Sequence, residues 1–306
     1  MLFTSDYHAK LLLSAEYLVL NGAKALAVPL RFGQKLSVQD TDTGYISWQS
    51  VADNGAIWFS GKYTYNNFSI LECSNPDIAK YPLRLMLAAR KFNPDFCINS
   101  GGSHVVSTLN YPLLWGLGSS STLIAAVAGW AEIDPFMLHF EVSKGSGYDI
   151  ACALSSGPLL YALREGKPVI KPVSFSPSFA DKIYFVYQGK KQDSAEGINK
   201  YFSRNSNPDR KTVEAASTLT NSMVDATTLD EFEKVLHEHE ILISSLLAIK
   251  SIRNSKFSDL PGEVKSLGAW GGDFCMLTWR DDPALLKDYL KSKGLDIWFN
   301  FHDIVL

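Results

Sequence analysis

The chain has only four cysteines in 306 residues, Cys73, Cys97, Cys152 and Cys275, and no two of them stand in a CxxC spacing. That argues against a cysteine zinc site or a redox pair and fits reduced thiols in a cytoplasmic protein. No run of about 18 apolar residues is available to cross a bilayer. Asp6, Lys10, Glu16 and Lys24 interrupt the apolar N-terminal patches, so the uninterrupted core of a signal peptide is missing. Neither sign of charge is in excess: 29 Lys and Arg face 32 Asp and Glu, a net charge of -3, which gives no general attraction to nucleic acid or to an anionic membrane. A local pocket for a small anion stays open. Internal repeats, low-complexity tracts and flexible linkers are also absent, and two common nucleotide signatures are missing: no Lys-Ser or Lys-Thr pair follows a GxxxxG, and there is no GxGxxG. The expectation is a soluble cytoplasmic protein without nucleic-acid or membrane partners.

What is present is an ordinary globular composition, 46% hydrophobic and 20% charged, in a chain long enough for two domains or one large one. Short β-rich runs, "KLLL", "EYLVL", "KLSVQD", "YISWQS" and "AIWFS", fill residues 10 to 60, with turn signals at Asn21-Gly22 and Asn54-Gly55. Helical spacing covers Pro76 to Phe92, with Pro82 near its start or at a kink. "DFCINS" and "SHVVSTL" read as strands, and the alanine-rich run after Ser119 as a buried helix. The proline and serine segment 167–178 reads as a boundary, giving domains 1–170 and 171–306. Beyond it come a strand "KIYFVYQ", helices near 208–226 and 229–250, a glycine turn "GAWGGDF", a strand "FCMLTW", a helix near 283–293 and a last strand pair.

The stretch "PLLWGLGSSST", from Pro112 to Thr122, sets glycines and serines directly ahead of that buried helix. A glycine-rich turn feeding a helix leaves backbone N–H groups unpaired at the positive end of the dipole, which is an anion site. The same residues also suit a capped helix start with no ligand. Two further segments decide between these readings: "HAKLLLSAEYLVLNGAKALAVPL" from His8 to Leu30, and "GAWGGDF" from Gly268 to Phe274, with "GSGYDIACA" from Gly145 to Ala153 between them.

In that order these segments resemble the three motifs of the GHMP kinase superfamily, the kinases of galactose, homoserine, mevalonate and phosphomevalonate. The likeness runs over essentially the whole chain and is nearest a GYDIA-bearing subgroup. Pro112, Gly116, Leu117, Gly118, Ser119, Ser120 and Ser121 match the phosphate loop PxxxGLGSS; Lys10, Glu16, Gly22 and Pro29 match the first motif, where His8, Ala9 and Ala15 replace a proline and two glycines. Trp270 replaces a glycine of the third motif, GAGGGD. The resemblance implies an α+β, two-domain GHMP kinase fold: an N-terminal domain like ribosomal protein S5 domain 2 carrying the phosphate loop, and a C-terminal ferredoxin-like domain.

It implies an ATP-dependent, Mg²⁺-assisted kinase of mevalonate or phosphomevalonate in isoprenoid precursor synthesis. Backbone N–H groups of Gly116 to Ser120 would cradle the phosphates, and the Ser120 hydroxyl would contact the metal. Glu141 is either a second metal ligand or a surface glutamate on a helix. Asp149 is either a helix cap or the catalytic carboxylate, kept ionised by Lys10. Glu16, Tyr17, Lys190, Ser194, Gly268, Gly271 and Gly272 are the candidate contacts of the small-molecule acceptor, the segment 187–197 reading equally as solvated charge. An indole at Trp270 would narrow the site, stack on a ligand or cap a hairpin. "EY" at Glu16-Tyr17 and "GSGYDIA" resemble phosphomevalonate kinases and the short chain does not; a phosphorylated acceptor would call on Lys144, Lys190 or Lys191. Homoserine or another small hydroxylated metabolite, and a catalytically silent ligand sensor or binding protein, are the alternatives, and a homodimer is left open.

Overall fold

The computed structural model describes residues 2–98, 101–190, 192, 194–204, 208–270 and 272–306. It is a mixed α+β chain of two compact units. One comprises Met1–Ala9, Phe32–Leu113 and Gly118–Leu154; the other Lys10–Arg31, Leu114–Leu117 and Ser155–Leu306. Two long strands, β1 (Leu2–Leu12) and β2 (Ala25–Asp40), contribute residues to both.

In the first unit the strand order is β5 (Ile70–Cys73), β4 (Ile57–Thr64), β3 (Tyr45–Val51), β6 (Ser103–Leu109) and the latter part of β2. All pairs are antiparallel except β3 with β6, where Trp48 stands opposite Val105. Alternate residues of β3 and β6 are buried, as expected of a sheet with one covered face. That face presents Leu36, Val38, Ile46, Trp48, Phe59, Tyr63 and Val105 to one core with the helices. Helix α1 (Pro76–Phe92) starts on Asn75, whose side chain accepts from the N–H groups of Asp77 and Ile78, with Pro76 in the first turn where no donor is missed. Helix α2 (Ser119–Trp130) is buried from Ser121 to Ala128, and its alanines let α1, α3 (Pro135–Val142) and α4 (Tyr148–Leu154) pack closely on it.

In the second unit an antiparallel sheet runs in the order β10 (Val264–Ser266), β11 (Phe274–Thr278), β9 (Ile183–Tyr187), β12 (Trp298–Asn300). All of β11 is buried, so it reads as a continuous apolar run. The helices are α5 (Ser194–Arg204), α6 (Arg210–Asp225), α7 (Leu229–Leu247), α8 (Ile252–Lys256), α9 (Pro283–Ser292) and α10 (Phe301–Ile304). Thr228 and Glu231 close a capping box at the start of α7. The first residues of β2 pair with β7 (Leu159–Arg164), which pairs with β8 (Lys167–Pro172).

The sequence expectations fail at three places. "EYLVL" is a buried 3-10 turn, Leu18–Asn21, because Ala15 and Tyr17 take left-handed φ of 59° and 62° and Gly22 closes it at 87°. "DFCINS" turns at Cys97, φ 58°, and its last two residues lie outside the described ones. The segment read as a boundary holds strand β8, Lys167–Pro172, at the end of the sheet order, where a proline costs no ladder bond. The last strand pair is β12 followed by the helical turn α10.

Candidate active site

Gly116 and Gly118 both take left-handed backbone, φ 71° and 96°, ahead of α2. The Gly118 carbonyl receives the N–H groups of Ser121 and Thr122 at 3.0 and 3.1 Å, and no side chain caps the helix, so its first N–H groups aim outward along the dipole. Ser120 is exposed and its carbonyl accepts from the Tyr81 hydroxyl at 3.2 Å; burial pushes the Tyr81 phenol up to about 12. Thr122 donates to Gln34 at 2.5 Å, and Gln34 in turn donates to Ser107 at 2.6 Å, which fixes the first turn of α2 on strands β2 and β6.

Asp149 lies in the first turn of α4, half-buried. Its Oδ1 accepts the N–H of Ile150 at 3.1 Å, and its Oδ2 accepts the hydroxyl of Ser121. The carboxylate therefore stands one hydrogen bond from the first turn of the helix that carries the anion cradle. The Ser121 hydroxyl, assigned to that cradle from sequence, is committed to Asp149. Glu141, the candidate second metal ligand, pairs instead with Lys91 across an exposed 2.8 Å contact between α3 and α1, an arrangement worth at most about 1 kcal/mol. Among the described residues no group of three or more His, Cys, Asp or Glu could hold a metal ion.

Lys10, half-buried, belongs to the second unit, and its N–H donates to the Leu117 carbonyl at 3.1 Å. Just before the cradle, Leu114 accepts the Tyr187 hydroxyl at 3.0 Å. Trp115 packs on Phe299, Phe274 and Tyr187 with ring centroids 5.3, 6.0 and 6.3 Å away. The third glycine turn reaches the same loop. A Cβ on Gly116 would lie 2.3 Å from Asp273 Oδ1, and Asp273 is fixed by its N–H to Lys190 O at 2.6 Å and by its carbonyl and Oδ1, which accept from Gln188 and Gln192 at 2.7 and 3.0 Å. A Cβ on Gly272 would strike Lys190 O at 2.4 Å, so only glycine allows that close backbone approach. Gly268 has φ 64°; Gly271 lies outside the described residues, as do Lys191 and the Ser194 side chain at the start of α5. Lys190 is exposed. Asp273 and Trp115 were not singled out from sequence, although the aspartate closing "GAWGGD" was a usable signal. Gly116→Ala adds both a clash and a left-handed alanine: we expect about 1–3 kcal/mol of destabilisation and weakened nucleotide binding, read by thermal melts with and without nucleotide. An unchanged melting point in both would count against this packing.

Glu16, assigned to the acceptor from sequence, is only 1% exposed. One of its oxygens pairs with Lys265, which is wholly buried and also donates to Ser266 O at 2.9 Å. Glu240 accepts the Ser266 N–H and hydroxyl and the Ile252 N–H. Burial pushes both carboxyls upward, against the opposing pull of Lys265. His239 accepts the Ala15 N–H on Nε2 at 2.8 Å, so the ring is neutral with its proton on Nδ1; burial first, then the Lys265 charge, hold its pKa well below the imidazole range. Because the folded pKa is depressed, the unfolded chain takes a proton the native ring refuses. Stability is then lost as pH falls below about 6.5, by up to about 1.4 kcal/mol per pH unit, partly offset by Glu16 and Glu240, whose raised pKa values favour proton uptake by the native state. Urea midpoints between about pH 7 and 5.5 should fall more steeply in wild type than in His239→Gln; equal slopes would remove His239 from the account.

Tyr17, the other first-motif candidate, donates its hydroxyl to Ala269 O at 2.8 Å and packs its ring on Tyr201 at 5.2 Å. It therefore fastens the glycine turn to the first motif.

Neither the family models nor the curated proteins compared give a match to the sequence. Solved structures do. The Methanococcus jannaschii mevalonate kinase aligns at TM-score 0.71 and 19% identity over 98% of each chain. The Streptococcus pneumoniae phosphomevalonate kinase, solved with phosphomevalonate and AMPPNP, aligns at 0.71 and 16% over 97% of this chain and 99% of that one. The Lactococcus lactis galactokinase, solved with galactose, aligns at 0.64 and 11% over 97% and 92%. The chain has the fold of the GHMP kinases over nearly its whole length. Among the described residues no helix is long and apolar enough to cross a membrane.

Proposed function

We propose that the protein is an ATP-dependent kinase of a small hydroxylated acceptor, with mevalonate or phosphomevalonate as the leading candidates. The observation that carries this reading is the Asp149 carboxylate held by Ser121 at the first turn of an uncapped helix whose entry is two left-handed glycines. The outward N–H groups at the uncapped start of α2 suit a polyphosphate. ATP, when bound, would supply the transferable phosphoryl group, and the exposed Ser120 hydroxyl would be available to hold an accompanying Mg²⁺.

The chain's own residues then have distinct tasks. The N–H groups at the start of α2 receive the negative charge that spreads over the transferred phosphoryl oxygens. Asp149 accepts the proton of the acceptor hydroxyl as that oxygen bonds to phosphorus and the bond to the leaving diphosphate breaks. A phosphorylated acceptor is already nucleophilic and makes less use of Asp149. The test is ADP release with ATP and Mg²⁺ across mevalonate, phosphomevalonate, homoserine and galactose. Saturable turnover with one acceptor supports the reading; nucleotide binding without turnover on any of them favours a ligand sensor.

A further inference from the structure

Gly145 to Gly147 lead the chain into α4 just ahead of Asp149, and one buried side chain holds them. His139, on α3, is 1% exposed, and its Nε2 lies 3.2 Å from Gly145 O. A carbonyl only accepts, so Nε2 carries a proton and donates it. Nδ1 has no hydrogen-bond partner among the described residues. Gly145 lies against the ring: a Cβ added there would be 3.4 Å from His139 Cε1, and its N–H is given to the Ser143 hydroxyl at 3.1 Å. Gly147 then takes left-handed backbone, φ 88°, and its carbonyl receives the Ala151 N–H at 3.1 Å as α4 begins. All of these residues, with Ser121 and Asp149, belong to the first unit.

Burying an imidazole with one nitrogen unpaired is unfavourable, and an apolar side chain of similar size would fill the same space without that cost. What the ring adds is a donor at one point of the loop. We infer that His139 is a positioning residue for Asp149: its hold on Gly145 O fixes where α4 begins, and with it the point at which the carboxylate meets the Ser121 hydroxyl. The inference rests on the kinase reading above. Leu138 and Ile150, the chain neighbours of His139 and Asp149, are wholly buried in one core, so donor and carboxylate stand on a common frame. A displacement of about 1 Å in a reacting group can cost about a hundred-fold in rate.

The test uses the full chain and whichever of mevalonate, phosphomevalonate, homoserine and galactose it phosphorylates fastest. His139→Leu fills the space without a donor. It should lower kcat about ten- to a hundred-fold on a hydroxyl acceptor, and less on phosphomevalonate, with KM for ATP and the melting temperature unchanged. His139→Gln can place an amide N–H where Nε2–H stands and should restore most of kcat; His139→Asn, whose amide ends at the position of Nδ1, should not. In an Asp149→Ala background His139→Leu should lower kcat no further, because nothing is left for it to position. An unchanged kcat in folded His139→Leu, a loss shared by KM for ATP or by the melting temperature, or a full further loss in the Asp149→Ala background overturns the inference. Any of these makes His139 a packing residue and leaves the kinase reading intact. If the leucine variant does not fold, the glutamine and asparagine variants decide in the same way. Absence of wild-type turnover on the whole panel overturns both.

Discussion

Asp149→Ala should lower kcat about 10²–10⁴-fold while leaving the KM for ATP within a few-fold of wild type. The asymmetry follows from where the carboxylate stands. Its contacts are the Ser121 hydroxyl and the Ile150 N–H, so truncation leaves the two left-handed glycines and the uncapped N–H groups of α2 in place. In the proposed reading nucleotide binding uses those groups, and proton acceptance uses Asp149. Equal losses in kcat and in nucleotide affinity would mean that Asp149 shapes the loop instead of meeting the acceptor. A phosphorylated acceptor would shrink the kcat effect, because its nucleophile carries no proton that must leave, so the size of the loss also reports on acceptor class.

Lys265→Met should destabilise the protein by about 3–5 kcal/mol at neutral pH. The ammonium is wholly buried against Glu16, itself 1% exposed, and burial already pushes the Glu16 and Glu240 carboxyls upward against its pull. Without the cation those carboxylates have no counter-charge beside them among the described residues. A carboxyl whose folded pKa lies above its unfolded value binds protons more readily in the native state, so the variant's deficit should narrow as pH falls from 7 toward about 5. Adding Glu16→Gln to Lys265→Met should recover much of the loss, since the buried charge disappears with its partner. Chemical denaturation of the two variants reads all of this; a deficit independent of pH would show that lost packing, not lost charge, is responsible.

How far the sequence reached depends on how local each signal is. Helix α1 was legible from Pro76 to Phe92 because its cap, its first-turn proline and its apolar stripe lie within one stretch, and strand β6 was legible because "SHVVSTL" alternates. The start of α2 was legible because Gly118 and the serines announce it. The contacts that give the site its shape are not local. Glu16 and Lys265 are far apart in the chain, as are Gly116 and Asp273, and nothing near Glu16 announces that its carboxylate faces a buried lysine. The Lys91 partner of Glu141 is likewise beyond the reach of the local sequence. "EYLVL" misled for a different reason: a short buried apolar run has no period to distinguish strand from turn, and only the left-handed φ of Ala15 and Tyr17 resolves it.

The most direct test of the central claim is the mass of the acceptor after incubation with ATP and Mg²⁺, wild type beside Asp149→Ala. The account predicts an acceptor one phosphoryl group heavier with wild type and, over the same time, almost none with the variant. Nucleotide binding by both proteins with no phosphorylated acceptor from either, or equal product from both, would contradict it.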